Sequence, residues 1–149
     1  MTQMEDRGSK KRILAVDDAA ITLSRIVEIL QDDYEVVTAN SGARALRYLE
    51  NAKPDLVLLD IRMAPVDGFE MLRSMRAMKG RSDIPVIMLT GMEDRKSVLE
   101  SAKLGICDYV LKPFVAEDLL KRVRQALGTE NQDEKHDFQK ELLEMMNRT

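Results

Sequence analysis

The chain has 149 residues and a formal net charge of −3, a length that suits one domain with an appendage and hides roughly 70% of the unfolded chain's surface on folding. Its charge balance predicts no nucleic-acid footprint for the chain as a whole, and its single cysteine, Cys107, excludes an internal disulfide and fits a reducing compartment. No apolar run nears the roughly 18 residues of a membrane span and no apolar leader opens the chain, so the composition points to a cytoplasmic domain without a membrane partner.

The charges are uneven. Residues 1–12 carry Arg7, Lys10, Lys11 and Arg12 against Glu5 and Asp6, and residues 129–149 hold six acids against three bases. The expected organisation is a disordered arm over 1–10, a folded domain over 11–128, and a linker or amphipathic helical tail over 129–149.

In chain order, the first apolar run is ILAV (Ile13 to Val16), followed at once by Asp17 and Asp18. A helical stripe of Leu23, Ile26, Val27 and Leu30 comes next, then YEVVTA (Tyr34 to Ala39). Asn40-Ser41 can cap a second helix, whose stripe is Ala45, Leu46 and Leu49. The third run, DLVLLD (Asp55 to Asp60), ends on a carboxylate and opens into a loop bearing Pro65 and Gly68. Leu72, Met75 and Met78 mark the third helix. IPVIMLT (Ile84 to Thr90) is the fourth run, and Val98, Leu99 and Ala102 the fourth helical stripe. CDYVLK (Cys107 to Lys112) is the fifth run; Leu119, Leu120, Val123 and Leu127 follow, with Gly128 placed to end that helix. Several runs are apolar on consecutive residues, the pattern of strands buried on both faces of a parallel sheet. The order is (βα)5, an α/β fold with helices on both sheet faces and right-handed crossovers.

Ligands of such sheets sit outside the carboxyl ends of the strands. At those ends stand Asp17, Asp18, Asp60, Thr90 and Lys112. Three carboxylates brought together repel one another unless a cation sits among them. A hard divalent ion such as Mg2+ suits oxygen ligands and leaves positions for phosphate oxygens. A carboxylate can also attack phosphorus to form an aspartyl-phosphate, and such a transfer needs positioning and charge neutralisation above all. Lys112 supplies a mobile point charge, Thr90 a hydroxyl, and Gly91 an open approach.

The pieces ILAVDDAA, VLLDIRMAPVDGFEML, PVIMLTG and DYVLKPF, in this order and spacing, resemble the receiver domain of bacterial two-component response regulators over roughly residues 11–128. The resemblance implies a flavodoxin-like doubly wound five-stranded parallel sheet of order 2-1-3-4-5. It implies Asp60 as phosphoacceptor, charged by a histidine kinase, a phosphotransfer protein or a small donor such as acetyl phosphate. Asp18 and Asp60 would be direct Mg2+ ligands (Mn2+ as substitute), Asp17 would act through water, and the backbone carbonyl of Arg62 would be the third protein ligand. Lys112 would bind the phosphoryl group, Lys112-Pro113 would be a cis peptide, and Thr90 and Tyr109 would form the switch pair. Phosphorylation would then rework the face made by helix 4, strand 5 and helix 5, controlling an output domain or partner, with no metabolite turned over. The sequence departs from the family at Ala64, where many members have proline; Pro65 follows one position later. Arg62 and Met92 occupy variable positions, and Arg62 is expected to affect dephosphorylation.

Other readings remain beside this one. A stand-alone regulator or phosphorelay intermediate would share every motif above. A haloacid-dehalogenase-like phosphatase would carry a second Asp where Arg62 stands. A flavin carrier would need a Ser/Thr/Gly-rich loop where AVDDAAITL lies. Met71, Met75 and Met78 read as core filler, Cys107 as a buried small apolar residue, and His136 as solvated. Lys121, Arg122 and Arg124 read as a solvated face, or as a contact for acids of a second protomer. In the tail, Phe138, Leu142 and Met145 or Met146 form a stripe that wants a partner. It could dock on the domain itself, make a homodimer as the helix-4 to helix-5 face could, or begin a helix leading to an output domain. No helix-turn-helix fits in 21 residues, so no direct contact with DNA is expected.

Overall fold

The structure, a computed structural model, describes residues 10–63, 66–91, 95–128 and Leu143, with backbone alone at 95, 97, 98 and 101. The expectations placed on residues 1–9, Ala64, Pro65, Met92, the Val98 side chain, His136 and the tail stripe lie outside these residues.

Among the described residues five strands alternate with five helices: β1 (Arg12–Val16), α1 (Ala20–Leu30), β2 (Glu35–Ala39), α2 (Gly42–Asn51), β3 (Leu56–Asp60), α3 (Gly68–Ala77), β4 (Val86–Thr90), α4 (Arg95–Ala102), β5 (Asp108–Leu111) and α5 (Ala116–Ala126). All pairings are parallel, and the sheet order is β2-β1-β3-β4-β5. The uniformly apolar runs are the central strands. Every residue of β3 and β4 is buried, whereas edge strand β2 exposes Glu35 and Thr38.

Each face of the sheet carries its own core. On one side Leu14, Val16, Val57, Leu59, Val86 and Met88 pack with Ala45 and Leu49 of α2 and with Met71, Leu72 and Met75 of α3. On the other, Ile13, Ala15, Leu56, Leu58, Ile87 and Val110 meet Leu23, Ile26 and Leu30 of α1 and Leu119 and Val123 of α5. Burial of each Val, Leu, Ile or Met among them contributes about 1.5–3 kcal/mol. Alternate strand residues point to opposite faces, so the strands supply both cores at once.

Local chemistry sets the helix ends. Ser41 caps α2 by accepting the Arg44 amide at 3.1 Å, and Asp67 caps α3 by accepting the Glu70 amide at 2.9 Å. Gly128 ends α5 at φ +71, the left-handed conformation that glycine takes without a side-chain penalty. Met71 and Met75 are fully buried core filler. Cys107 differs from expectation: it precedes β5 and is partly exposed. Its amide still reaches the Val86 carbonyl, but it lies at the entrance to β5, an edge of the sheet among the described residues.

Candidate acidic site at the strand ends

Because all five strands run parallel, their carboxyl ends open on one rim. The β1–β2 ladder continues one residue past β1, through the Asp17 amide and the Ala39 carbonyl at 3.2 Å. This extension delivers Asp17 to the rim, with Asp18 beside it. Asp60 is the last residue of β3, Thr90 the last of β4, and Lys112 the first after β5. The five residues singled out in the sequence therefore share one edge.

Asp17, Asp18 and Asp60 each place a carboxylate oxygen within 4.8 Å of the others. Asp17 is fully buried and Asp18 is exposed. Both Asp17 oxygens are engaged: Oδ1 accepts the Ala19 amide at 2.9 Å and Oδ2 accepts Lys112 Nζ at 2.8 Å. Lys112 Nζ also donates to Asp60 Oδ1 at 3.0 Å, so one ammonium group bridges two carboxylates. Burial pushes the Asp60 carboxyl up to about 6. The Lys112 hydrogen bond pulls the other way, the Asp17 charge adds to the rise, and the Arg62 backbone hydrogen bond opposes it. Burial alone would lower Lys112, but its bonds to Asp17 and Asp60 outweigh that and hold it above its ordinary value. The donor set, three hard oxygen ligands converging on one point, fits a divalent cation such as Mg2+.

The structure places the other expected residues less tightly. Thr90 is buried, and its hydroxyl donates to the Gly91 carbonyl at 3.1 Å. Tyr109 is half-buried against the α2–α3 side core. Arg62 is exposed, two residues past Asp60. The Lys112-Pro113 peptide is cis.

Two features escaped the motif reading. A β-carbon on Gly68 would lie 2.4 Å from the Asp60 carbonyl oxygen and 2.8 Å from Ile61 Cα. Only glycine lets the start of α3 approach the backbone of Asp60. The Asp67-Gly68 spacing carried that signal, but nothing in a sequence states which backbone the glycine meets. The second feature corrects the solvated face expected on helix five. The Arg122 side chain is 17% exposed and its Nη1 donates to Asp108 Oδ1 at 2.7 Å. Arg124 stays half-exposed, 3.9 Å from Asp33.

Residues 13–124 match the response regulator receiver domain family. The chain belongs to this family. As a receiver domain it is a signalling module of two-component systems, which sets aside the flavin-carrier and phosphatase readings. Among similar proteins, the "Probable transcriptional regulator ycf27" of Cyanophora paradoxa is 42% identical over 126 residues, 83% of this chain and 51% of that protein. The "DNA-binding response regulator MtrA" of Mycobacterium leprae (strain TN) is 34% identical over 126 residues, 84% of this chain and 54% of that one. The chemotaxis protein CheY4 of Vibrio cholerae superposes with a TM-score of 0.76 at 32% identity, covering 80% of this chain and all of that one. The receiver domain chain spans about half the length of the curated relatives it matches. The expectation of no nucleic-acid contact gains no support from these relatives, one of which is named as DNA-binding. No helix among the described residues is long and apolar enough to cross a membrane.

Proposed function

We infer that Asp60 accepts a phosphoryl group from a histidine kinase, a phosphotransfer protein or a small acyl phosphate, and that the modified receiver switches a partner or an output domain. The observation that carries this reading is the convergence of Asp17, Asp18 and Asp60 with one ammonium group bridging Asp17 and Asp60. A carboxylate oxygen of Asp60 attacks phosphorus, the bond from phosphorus to the donor breaks, and the donor leaves with the electron pair. Mg2+ held by Asp18, Asp60 and the Arg62 carbonyl, with Asp17 behind it, would supply charge neutralisation for the phosphoryl oxygens. Mn2+ suits the same donors.

Lys112 keeps the resting carboxylates from repelling one another and carries a positive charge to the transferred group. Thr90 exchanges the Gly91 carbonyl for a phosphoryl oxygen. Phosphorylation adds roughly two negative charges at this rim. Movement of Thr90 frees the Tyr109 ring to turn, and the α4-β5-α5 face changes shape. That is how one local charge biases a pre-existing pair of states. The phosphoryl group later leaves by hydrolysis at the same site; nothing else is turned over. Cytoplasmic placement follows from such a donor, and a homodimer through α4-β5-α5 or the tail is one readout of the switched face.

The test is intact mass after incubation with acetyl phosphate and Mg2+. One added phosphoryl group is expected, and none in Asp60→Asn. Undiminished addition to that variant would place the acceptor elsewhere.

A further inference from the structure

The Asp60 chemistry leaves unused one set of charged groups, at the junction of β5 and α5. Asp108, the first residue of β5, has a side chain 5% exposed, yet it bears a carboxylate. Its Oδ1 accepts its neighbour's amide, that of Tyr109, at 2.8 Å, and Arg122 Nη1 at 2.7 Å. The same guanidinium donates through Nε to Asp118 at 3.1 Å, in the first turn of α5. It also lies over the Tyr109 ring, 5.9 Å from its centroid. One side chain thus ties together the buried end of β5, the start of α5 and the aromatic residue assigned to the switch. A buried carboxylate requires a partner; an arginine is the side chain that can satisfy it with one edge and stack on a ring with its plane.

We propose that Arg122 is a positioning residue for Tyr109: anchored by Asp108 and Asp118, its guanidinium holds the ring in the resting orientation and so sets how readily the receiver switches. This rests on the reading of Asp60 and Tyr109 given above. Turning the ring away forfeits the contact with the guanidinium, so the contact favours the resting state and opposes any ligand that selects the switched one. Arg122→Lys keeps a cation against Asp108 but lacks the planar fork, and so separates anchoring from the ring contact.

The experiment titrates the full chain with beryllofluoride, a phosphoryl mimic, in saturating Mg2+, by calorimetry. Four proteins are compared: wild type, Arg122→Lys, Tyr109→Ala and the double variant, with folding checked by circular dichroism. Arg122→Lys should tighten the mimic by about 2- to 5-fold, the size of an exposed-to-partly-buried cation–π contact. In the Tyr109→Ala background the same substitution should change affinity by less than the assay's error, because the coupling runs through the ring. Equal affinity of wild type and Arg122→Lys would overturn the inference. So would an equal effect in both backgrounds, which would mark Arg122 as structural only. If Arg122→Lys does not fold, Asp118→Asn, which loosens the other anchor, enters the same cycle with the same expected signs. Failure of wild type to bind the mimic is a separate result: it removes the assignment of Asp60, and this inference with it.

Discussion

At Asp60, burial, a neighbouring carboxylate and a bridging lysine act on one oxygen pair, and the surrounding residues decide how that conflict is used. Gly68 holds the α3 start against the Asp60 backbone, with its absent β-carbon 2.4 Å from the carbonyl oxygen. Gly68→Ala must push backbone against backbone, since no flexible side chain stands there to yield. The expected loss is about 1–3 kcal/mol in chemical denaturation, together with slower labelling by acetyl phosphate; unchanged values for both would show that the loop absorbs a methyl group. Arg62 is exposed, two residues past the acceptor, and a long side chain there would screen an approaching water. Arg62→Ala is expected to speed loss of the phosphoryl group by roughly 3- to 10-fold, about 0.7–1.4 kcal/mol in barrier, measured as decay of the labelled protein; equal rates would leave Arg62 without a role. Burial, then the charge of Asp108, pushes the Cys107 thiol up to about 11 from 9.0. The thiolate is the nucleophile, so a raised value leaves less of it at pH 8. Alkylation of the folded protein at pH 8 should be about 100-fold slower than of the unfolded chain and should climb steadily as pH rises towards 11. A folded-state rate matching the unfolded one would mean an ordinary, unperturbed thiol. What was legible at this scale were the polar residues that interrupt apolar runs: Asp17, Asp18, Asp60, Thr90 and Lys112. The bond between Asp108 and Arg122 was not, because nothing local to either residue names a partner 14 positions away.

Among the elements, the helices were legible by their stripes and the strands by their short, largely apolar runs, while the ties between elements were silent. Arg76 on α3 shows why. Its guanidinium donates to the carbonyls of Leu104 at 2.9 Å, Ser82 at 3.0 Å, Ile84 at 2.7 Å and Gly105 at 3.1 Å. It thereby joins the end of α3, the approach to β4 and the turn before β5. A sequence records carbonyls at every position, so no residue type marks the partners of such a side chain. Burial, more than the charges of Cys107 and Asp83 can offset, lowers the Arg76 pKa, and the bonds compensate for lost water. Arg76→Ala is expected to cost about 2–4 kcal/mol, since charge-assisted bonds are each worth about 1.5–3 kcal/mol but do not add fully. Arg76→Lys should recover little of it, because a point charge cannot reach four carbonyls. Urea midpoints with unchanged slopes would measure both; full recovery by lysine would reduce the staple to a charge effect.

For the molecule as a whole, (βα)5 order followed from the alternation of runs and stripes, but the strand order 2-1-3-4-5 came from the family resemblance, because a period says nothing of which strands lie side by side. That order is what brings β1 and β3 together at the centre and sets Asp17, Asp18 and Asp60 within 4.8 Å of one another. Asp17 and Asp18 are neighbours in the chain, but the unfolded chain holds Asp60 apart from them; folding brings the three together, with a single ammonium group bridging Asp17 and Asp60. A divalent cation bound only by the folded rim therefore stabilises the whole domain by mass action. At about 100 times its dissociation constant, Mg2+ should add about 2.7 kcal/mol, which for a domain of this size raises Tm by roughly 10 °C. Asp18→Asn removes one carboxylate donor, and its exposed position limits the harm to the core. In that variant, starting stability without metal should equal or exceed that of wild type, since one repelling charge is gone, while the Mg2+-dependent rise shrinks to a few degrees or less. Thermal scans in chelator and in Mg2+, with Ca2+ as the control for a larger cation that tolerates irregular ligands, separate the two effects. A wild-type Tm indifferent to Mg2+ would mean that Lys112 alone balances the rim and that no cation is held there.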